Sequence, residues 1–443
     1  VTRVTVTLTL RDRGCRAMGE SPMSTSMPTS SPETCTGSPR PRRSRRLRTR
    51  LALAAAAALA GGLVAAPPAS AADFYTPPAS VSGAPGSVVR SEPSQFYLDP
   101  LKLLKAPADV TRVMYVSANA DGPTHVTGTI LQPRTRWIGR GERPVVAYAV
   151  GTQGMADRCA PSRQLAAGTE YEGAFIKGLL ARGYTVAVTD YEGLGTPGVH
   201  PYVDPRALGR NVLDSVRAAQ RLGIVTSTAP VLVSGYSEGG NAAAGALELA
   251  AGYAPELRLK GGYAGAVPAD LARVAPKLDG SPYAAFLGYA VAALDDAEPQ
   301  LGIRDLLNAR GQDFLDRVQD SCTIDGVASF AFTRTTDLTL DGRPIAAFLS
   351  RPDIAAALAE RRLGSVRPTV PSLVAHSRLD DVVDYAQDRD MARSWCSKGA
   401  KVRFQTLVTP THVGGAVAGF PNAFAFLEGR VAGTPFLSTC GLF

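Results

Sequence analysis

The chain alternates short runs that are apolar throughout with longer runs whose apolar residues recur every three or four positions. Residues 112–118 and 126–131, separated by the turn cluster 119–123, read as two consecutive strands. Residues 145–150 are apolar apart from Tyr148 and read as a buried strand, as do 184–189 and 229–233. Between them, 173–181 is helical, and in 207–221 Val212, Val216 and Ala219 recur at helical spacing behind Asp204 and Pro205. A further helix is expected over 240–249, rich in small residues that allow close approach to a sheet. Strands and helices in this alternation predict an α/β fold with a mostly parallel sheet covered on both faces.

Past residue 269 the rhythm changes. Residues 282–294, 303–309, 312–318 and 354–362 read as short amphipathic helices, with no apolar strand run among them. Strands resume at 369–375 and 402–408. The Pro/Gly/Ser-rich residues 73–93 read as a leading segment lying over the surface. The expected division is a leader over 1–71, the first part of the core over 72–269, a mostly helical cap over 270–363 and the second part of the core over 364–443. Phe286, Leu287, Phe330, Phe332 and Phe348 could line the cap as an apolar wall or serve as its own core.

Composition changes this picture in two ways. Arg42, Arg43, Arg45, Arg46, Arg48 and Arg50 precede the apolar run 51–66, and Ala69-Ser-Ala71 follows it, the layout of an export signal that is removed. The apolar run is shorter than the ~20 residues that span a bilayer. Residues 1–71 hold 11 Lys/Arg against 3 Asp/Glu, which is the whole formal charge of +8, and the remainder is balanced at 36 against 36. The basic pI therefore gives no support to nucleic-acid binding. Export also makes disulfides the expected state of Cys159, Cys322, Cys396 and Cys440, and four cysteines allow three pairings. Separation along the chain suggests Cys159 with Cys322 and Cys396 with Cys440. No C-x-x-C spacing suggests a metal site, and neither metal nor cofactor is expected.

The chemistry centres on Val231-Leu-Val-Ser-Gly-Tyr-Ser-Glu-Gly-Gly240. A buried strand breaks at a sharp turn between Gly235 and Gly239 and puts Ser237 at the sheet edge, ahead of a helix. A serine hydroxyl is a poor nucleophile until a base takes its proton, and the base needs an acid to fix its tautomer. In this layout acid and base follow the serine in that order. His376 and His412 lie downstream. His412, in a loop after the last core strand and before Val413-Gly-Gly415, is the better placed, since His376 precedes the acid loop. Asp380, Asp381 and Asp384 compete as the acid; Asp380, five residues beyond its strand and followed by Val382-Val383, is preferred, and Asp384 reads as a surface residue or helix cap. Charge on a reacting carbonyl oxygen needs donors already in place. One is expected from the N–H of Glu238 and a second from residues 151–154, with Thr152 and Gly154 as candidates. Two other groupings carry less. Gly193-Leu-Gly195 lacks the spacing of a dinucleotide loop, and Asp190, Glu192, His200 and Asp204 fit no metal pattern.

Taken together, Gly151-Thr-Gln-Gly154, Cys159-Ala-Pro-Ser162, Asp190-Tyr-Glu-Gly-Leu-Gly195, Gly235-Tyr-Ser-Glu-Gly-Gly240, the Asp380 loop and Thr411-His412 resemble the secretory lipase family of α/β-hydrolases. The likeness covers the chain from about Pro85 onward. It implies a secreted, cofactor-free serine lipase or esterase acting through an acyl-enzyme at Ser237, with Asp380 and His412 completing a triad under a cap. It also implies the same two disulfide pairs. Fungal members have glycine after the nucleophile and an acid near the second oxyanion donor, where this chain has Glu238 and Gly154, so the acidic function is expected to have crossed the site. The expected partners are a lipid or other ester and a transient lipid interface, with the protein a monomer. An acyltransferase or peptidase on the same scaffold and a catalytically silent binding protein are the rival readings.

Overall fold

The computed structural model describes residues 73–443, and the expected leader over 1–71 lies outside them. The chain opens with three antiparallel strands: β1 (Val88–Pro93), β2 (Ala108–Ala118) and β3 (Pro123–Pro133). Five-residue β4 (Val145–Ala149) follows, then α1 (Pro161–Ala167), α2 (Gly173–Ala181), β5 (Thr185–Tyr191) and α3 (Pro205–Arg221). After these come β6 (Val231–Tyr236), α4 (Glu238–Tyr253) and β7 (Leu259–Gly265). All described strands join one sheet in the order β1-β2-β3-β5-β4-β6-β7, then β8 (Ser372–Leu379) and β9 (Val402–Pro410). From β5 to β9 every pair is parallel. The strands β4, β5 and β6 are buried along their whole length because helices cover both faces, which is why they read as unbroken apolar runs.

Between β7 and β8 the chain is helical: α5 (Leu271–Leu278), α6 (Ala284–Ala297), α7 (Ala309–Gln319), α8 (Thr323–Phe330) and α9 (Pro352–Glu360). This insertion has its own apolar cluster, in which Phe286, Leu287, Tyr289 and Phe330 are buried. The core then resumes with β8, α10 (Tyr385–Ser397), β9 and α11 (His412–Ala432). Cys159 is bonded to Cys322 and Cys396 to Cys440. Among the described residues, no helix is long and apolar enough to cross a membrane.

Four readings of the sequence are corrected. Residues 73–93 do not simply lie over the surface: Val88–Pro93 is an edge strand, and Phe74 and Tyr75 are buried against the core, Tyr75 bonded to Ser162 Oγ at 2.8 Å. Their Pro/Gly-rich surroundings hide two aromatic anchors. Residues 303–309 form only a 3-10 turn at Arg304–Leu306, because the Asn308 side chain already caps the next helix by accepting from Gly311 N at 3.0 Å. Asp380 directly follows β8, which runs to Leu379, instead of standing five residues beyond it. His412 opens α11 rather than sitting in a loop, one residue after β9 has ended and Thr411 has capped the helix.

Candidate active site

Ser237 stands between β6 and α4 with φ 62 and ψ −124, a left-handed backbone that costs a non-glycine residue about 1–3 kcal/mol. Its N–H donates to Gly265 O on β7 at 2.9 Å. The flanking glycines make room for this turn. A Cβ on Gly235 would lie 2.0 Å from Gly239 O, and one on Gly239 would lie 2.1 Å from Ala149 O. Strain and crowding are thus both accepted at one serine, which faces a cleft.

The cleft is apolar. Ser237 opens into it beside Tyr202 and Pro268, and its walls include Phe286, Leu287, Val291 and Phe348 from the insertion and Val382 and Val383 from the core. Of the five candidate wall residues, Phe286, Leu287 and Phe348 line the cleft. Phe330 belongs to the cluster behind it, stacked edge-on with Phe314, and Phe332 is 67% exposed.

The end of β8 and the start of α11 meet at the same edge. His412 Nδ1 lies 2.7 Å from Asp380 Oδ2, and His412 Nε2 is buried without a hydrogen-bond partner. Asp380 Oδ1 accepts the N–H groups of Val382 and Val383, both at 2.8 Å, so the short apolar pair fixes the carboxylate. Burial raises an acid, but the rings of His376 and His412 beside it outweigh that here and hold Asp380 well below the usual carboxylate range. Tyr236, the neighbour of Ser237, ties the edge together: its hydroxyl donates to His412 O at 2.8 Å and its ring is centred 5.0 Å from the imidazole.

The rival residues have other places. Asp381 accepts the backbone N–H of His412 at 2.7 Å instead of reaching the ring. Asp384 caps α10, accepting from Ala386 N at 2.8 Å. His376 is fully buried within β8, between Asp380 and Asp388.

On the oxyanion side, Glu238 is the first residue of α4, where leading N–H groups have no acceptor within the helix. Its carboxylate is buried and points away to His200 Nε2 at 2.6 Å. His200 Nδ1 donates to Glu192 O at 2.9 Å, which leaves Nε2 to share one proton with Glu238. The residues 151–154 are held from several sides. Gly151 N donates to Glu172 at 3.2 Å, Tyr171 OH donates to Thr152 O at 2.8 Å, and Thr152 Oγ1 pairs with Tyr202 OH at 2.8 Å. Gly154, with φ 115, is packed on the Ser321–Cys322 backbone, where a Cβ would meet Ser321 O at 2.4 Å. No acidic side chain could occupy that position. Of the residues grouped earlier as a metal cluster, Asp190 bonds Thr127 and Ser162, Glu192 bonds Asn119, and Asp204 caps α3.

The residues that sequence reasoning missed are the supporting ones: Tyr236, Tyr202, Glu172 and Asp388. Tyr236 lies within the Gly235–Gly240 motif without being singled out by it, and the other three carry no motif. The only available signal was polar side chains, such as Glu170 and Glu172, standing directly before an apolar helix.

The model of the secretory lipase family matches residues 160–439. The chain is 31% identical over 376 residues, 82% of each chain, to a Mycobacterium tuberculosis protein described as a probable inactive lipase. It is 29% identical over 390 residues, 83% of this chain and 80% of the other, to a secreted triacylglycerol lipase of Malassezia globosa. In fold it is similar to closed-state lipase A of Candida antarctica, with a TM-score of 0.71 at 24% identity over 81% of this chain and 85% of that one. With an α/β sheet, a helical insertion and this match over most of its length, the chain belongs to the secretory lipase family and is a secreted serine hydrolase of the lipase and esterase type.

Proposed function

We propose that Ser237, His412 and Asp380 form the catalytic triad of a lipase that cleaves carboxylic esters, triacylglycerols among them, through an acyl-enzyme. The observation that carries this reading is the 2.7 Å contact of His412 Nδ1 with Asp380, which leaves Nε2 without a partner at the edge where Ser237 turns out of the sheet. In the first step Ser237 Oγ attacks the ester carbonyl carbon while His412 Nε2 takes its proton. The C–O bond to the alcohol then breaks, and the alcohol leaves with that proton. Water, deprotonated by the same nitrogen, attacks the acyl carbon and releases the acid, and the proton returns to Ser237. The Glu238 N–H supplies one oxyanion donor, and Thr152, fixed by Tyr171 and Tyr202, the second. The cap over 270–363 offers the acyl chain its apolar wall. The domain limits 72–269, 270–363 and 364–443 follow from the same reading.

Ser237→Ala should abolish hydrolysis of p-nitrophenyl esters, by at least about 1,000-fold. Its thermal midpoint should stay near that of the native protein. Full activity in that variant would exclude the triad. The Mycobacterium tuberculosis relative's description favours a second reading, a catalytically silent secreted protein. Labelling of the folded native chain by a serine-reactive phosphonate, lost in Ser237→Ala, separates the two. Products formed with water, an alcohol and an amide offered together distinguish hydrolysis from acyl transfer and peptide cleavage.

A further inference from the structure

Asp380 does not meet His412 alone. Its Oδ2 lies 2.7 Å from His412 Nδ1 and 3.2 Å from His376 Nε2. On the far side of that second ring, His376 Nδ1 faces Asp388 Oδ2 at 3.0 Å, and the same oxygen accepts the N–H of Val267 at 2.8 Å. The side chains of His376, Asp380 and Asp388 have no exposed area. A neutral imidazole has one donor and one lone pair, so between two carboxylates one of its nitrogens would face an acceptor with nothing to give. The doubly protonated ring presents an N–H and a positive charge to each, at ion-pair distance though without the alignment of a hydrogen bond. The row therefore needs one proton beyond that of His412 Nδ1, and the position between two acids is the place for it.

We propose that His376, as an imidazolium, and Asp388, as its counter-charge, are positioning residues that keep Asp380 an ionised acceptor for His412 and so shape the acid limb of the pH profile. This rests on the triad reading above. The charges run His412, Asp380, His376, Asp388, with the cation next to the catalytic acid. It offsets part of the field of Asp380 at the neighbouring ring, so removing it should move the acid limb of the pH profile upward. It also removes the reason for Asp380 to take a proton as the pH falls. Burial alone would lower His376, yet Asp388 and Asp380 push it up to about 10. Burial raises Asp388 in spite of that partner. The other titratable groups facing the row are few. Lys277 on α5 donates to Asp380 O and Val383 O, Asp381 holds the His412 backbone, and Tyr236, Tyr263, Tyr283 and Tyr385 stand around it as phenols. Of these only Lys277 is a cation, and it is bound to carbonyl oxygens.

The test is the pH profile of kcat/KM for a soluble p-nitrophenyl ester with the native chain, Asp388→Asn and His376→Gln. Loss of the imidazolium in either variant should move the acid limb upward by roughly half a pH unit to one unit. A purely structural role would lower the plateau without moving the limb. An unmoved limb in a variant whose thermal midpoint shows it folded overturns the proposal. Where neither variant folds, the assigned 15N resonances of the His376 ring in the native protein decide: both nitrogens protonated through pH 8 sustain it, and a neutral ring at pH 7 overturns it. If Ser237→Ala is inactive while the limb stays put, this inference falls alone; if Ser237→Ala is active, the triad falls with it.

Discussion

Glu172 shows how a residue without a motif can serve the site. Its carboxyl is buried behind residues 151–154 and accepts the Gly151 N–H at 3.2 Å. Burial, with repulsion from Glu170 and Glu238, pushes it up to about 8, and burial pushes Glu170 up to about 7. In the unfolded chain both acids lose their protons near pH 4.5, so above that the folded state holds protons the unfolded state has released. The stability they contribute is therefore full below about pH 4.5 and is lost as pH rises through 7 and 8. His376 acts in the same direction: its contribution is full below about pH 6.5 and is lost as pH rises through about 10. Asp380, held low, contributes above its unfolded value and is lost only on the acid side. The thermal midpoint should accordingly fall between pH 6 and pH 9. In Glu172→Gln the fall should be shallower, since the amide oxygen still accepts from Gly151 and no proton is at stake. Equal slopes in differential scanning calorimetry would exclude this account. At this scale the meeting of His412 with Asp380 was legible because the loop order of the sheet points to the two residues in sequence, and the turn at Ser237 was legible from its glycines. Asp388, Glu172 and Tyr236 were not, because their meaning lies in neighbours distant in the chain.

The helices and strands were legible where one period held for long enough. Residues 173–181 match α2 at both ends, and α3 begins two residues before its expected start, at the Pro205 that Asp204 caps. Strand β7 left no trace because three of its seven residues are glycine, and the structure explains why. A Cβ on Gly262 would meet Leu247 Cδ2 at 2.7 Å, and one on Gly261 would meet Arg430 Cγ at 2.8 Å. The strand gives up its pattern so that α4 and α11 can approach it. The same economy sets the crossing of α3 and α4. A Cβ on Gly209 would lie 2.6 Å from Ala246 N, and one on Gly245 would lie 2.0 Å from Pro205 O. Gly245→Ala keeps a good helix former but must push α3 away from α4. It should cost about 1–3 kcal/mol in urea unfolding, and more than the gain in helix propensity returns. Since α4 begins directly after Ser237, the proposed nucleophile, ester hydrolysis should fall with it. A neutral result would mean the two helices separate freely.

At the scale of the molecule, the alternation of periods was enough to predict a core interrupted by helices, and the helical stretch lies between β7 and β8. One join, Cys159 with Cys322, was expected from the sequence, but the backbone bonds beside it were not. The Cys159–Cys322 bond closes a separation of 163 residues, for which chain entropy alone gives about 5 kcal/mol. Beside it Thr323 N donates to Gln153 O and Met155 N to Ser321 O, both at 3.0 Å. Cys159→Ser with Cys322→Ser should lower the thermal midpoint and reduce hydrolysis of long-chain esters more than of acetate, because the wall contributed by the insertion loosens first. A uniform loss across a panel of chain lengths would argue against that order.

This seam resembles the spine of a book. Pages bound along one margin are held there, and the margin at Ser321–Thr323 is sewn to residues 153–155, next to Thr152, the proposed second donor. Any loosening of the insertion is therefore resisted along this margin, and the part of the insertion farthest from it has no such tie to residues 153–155.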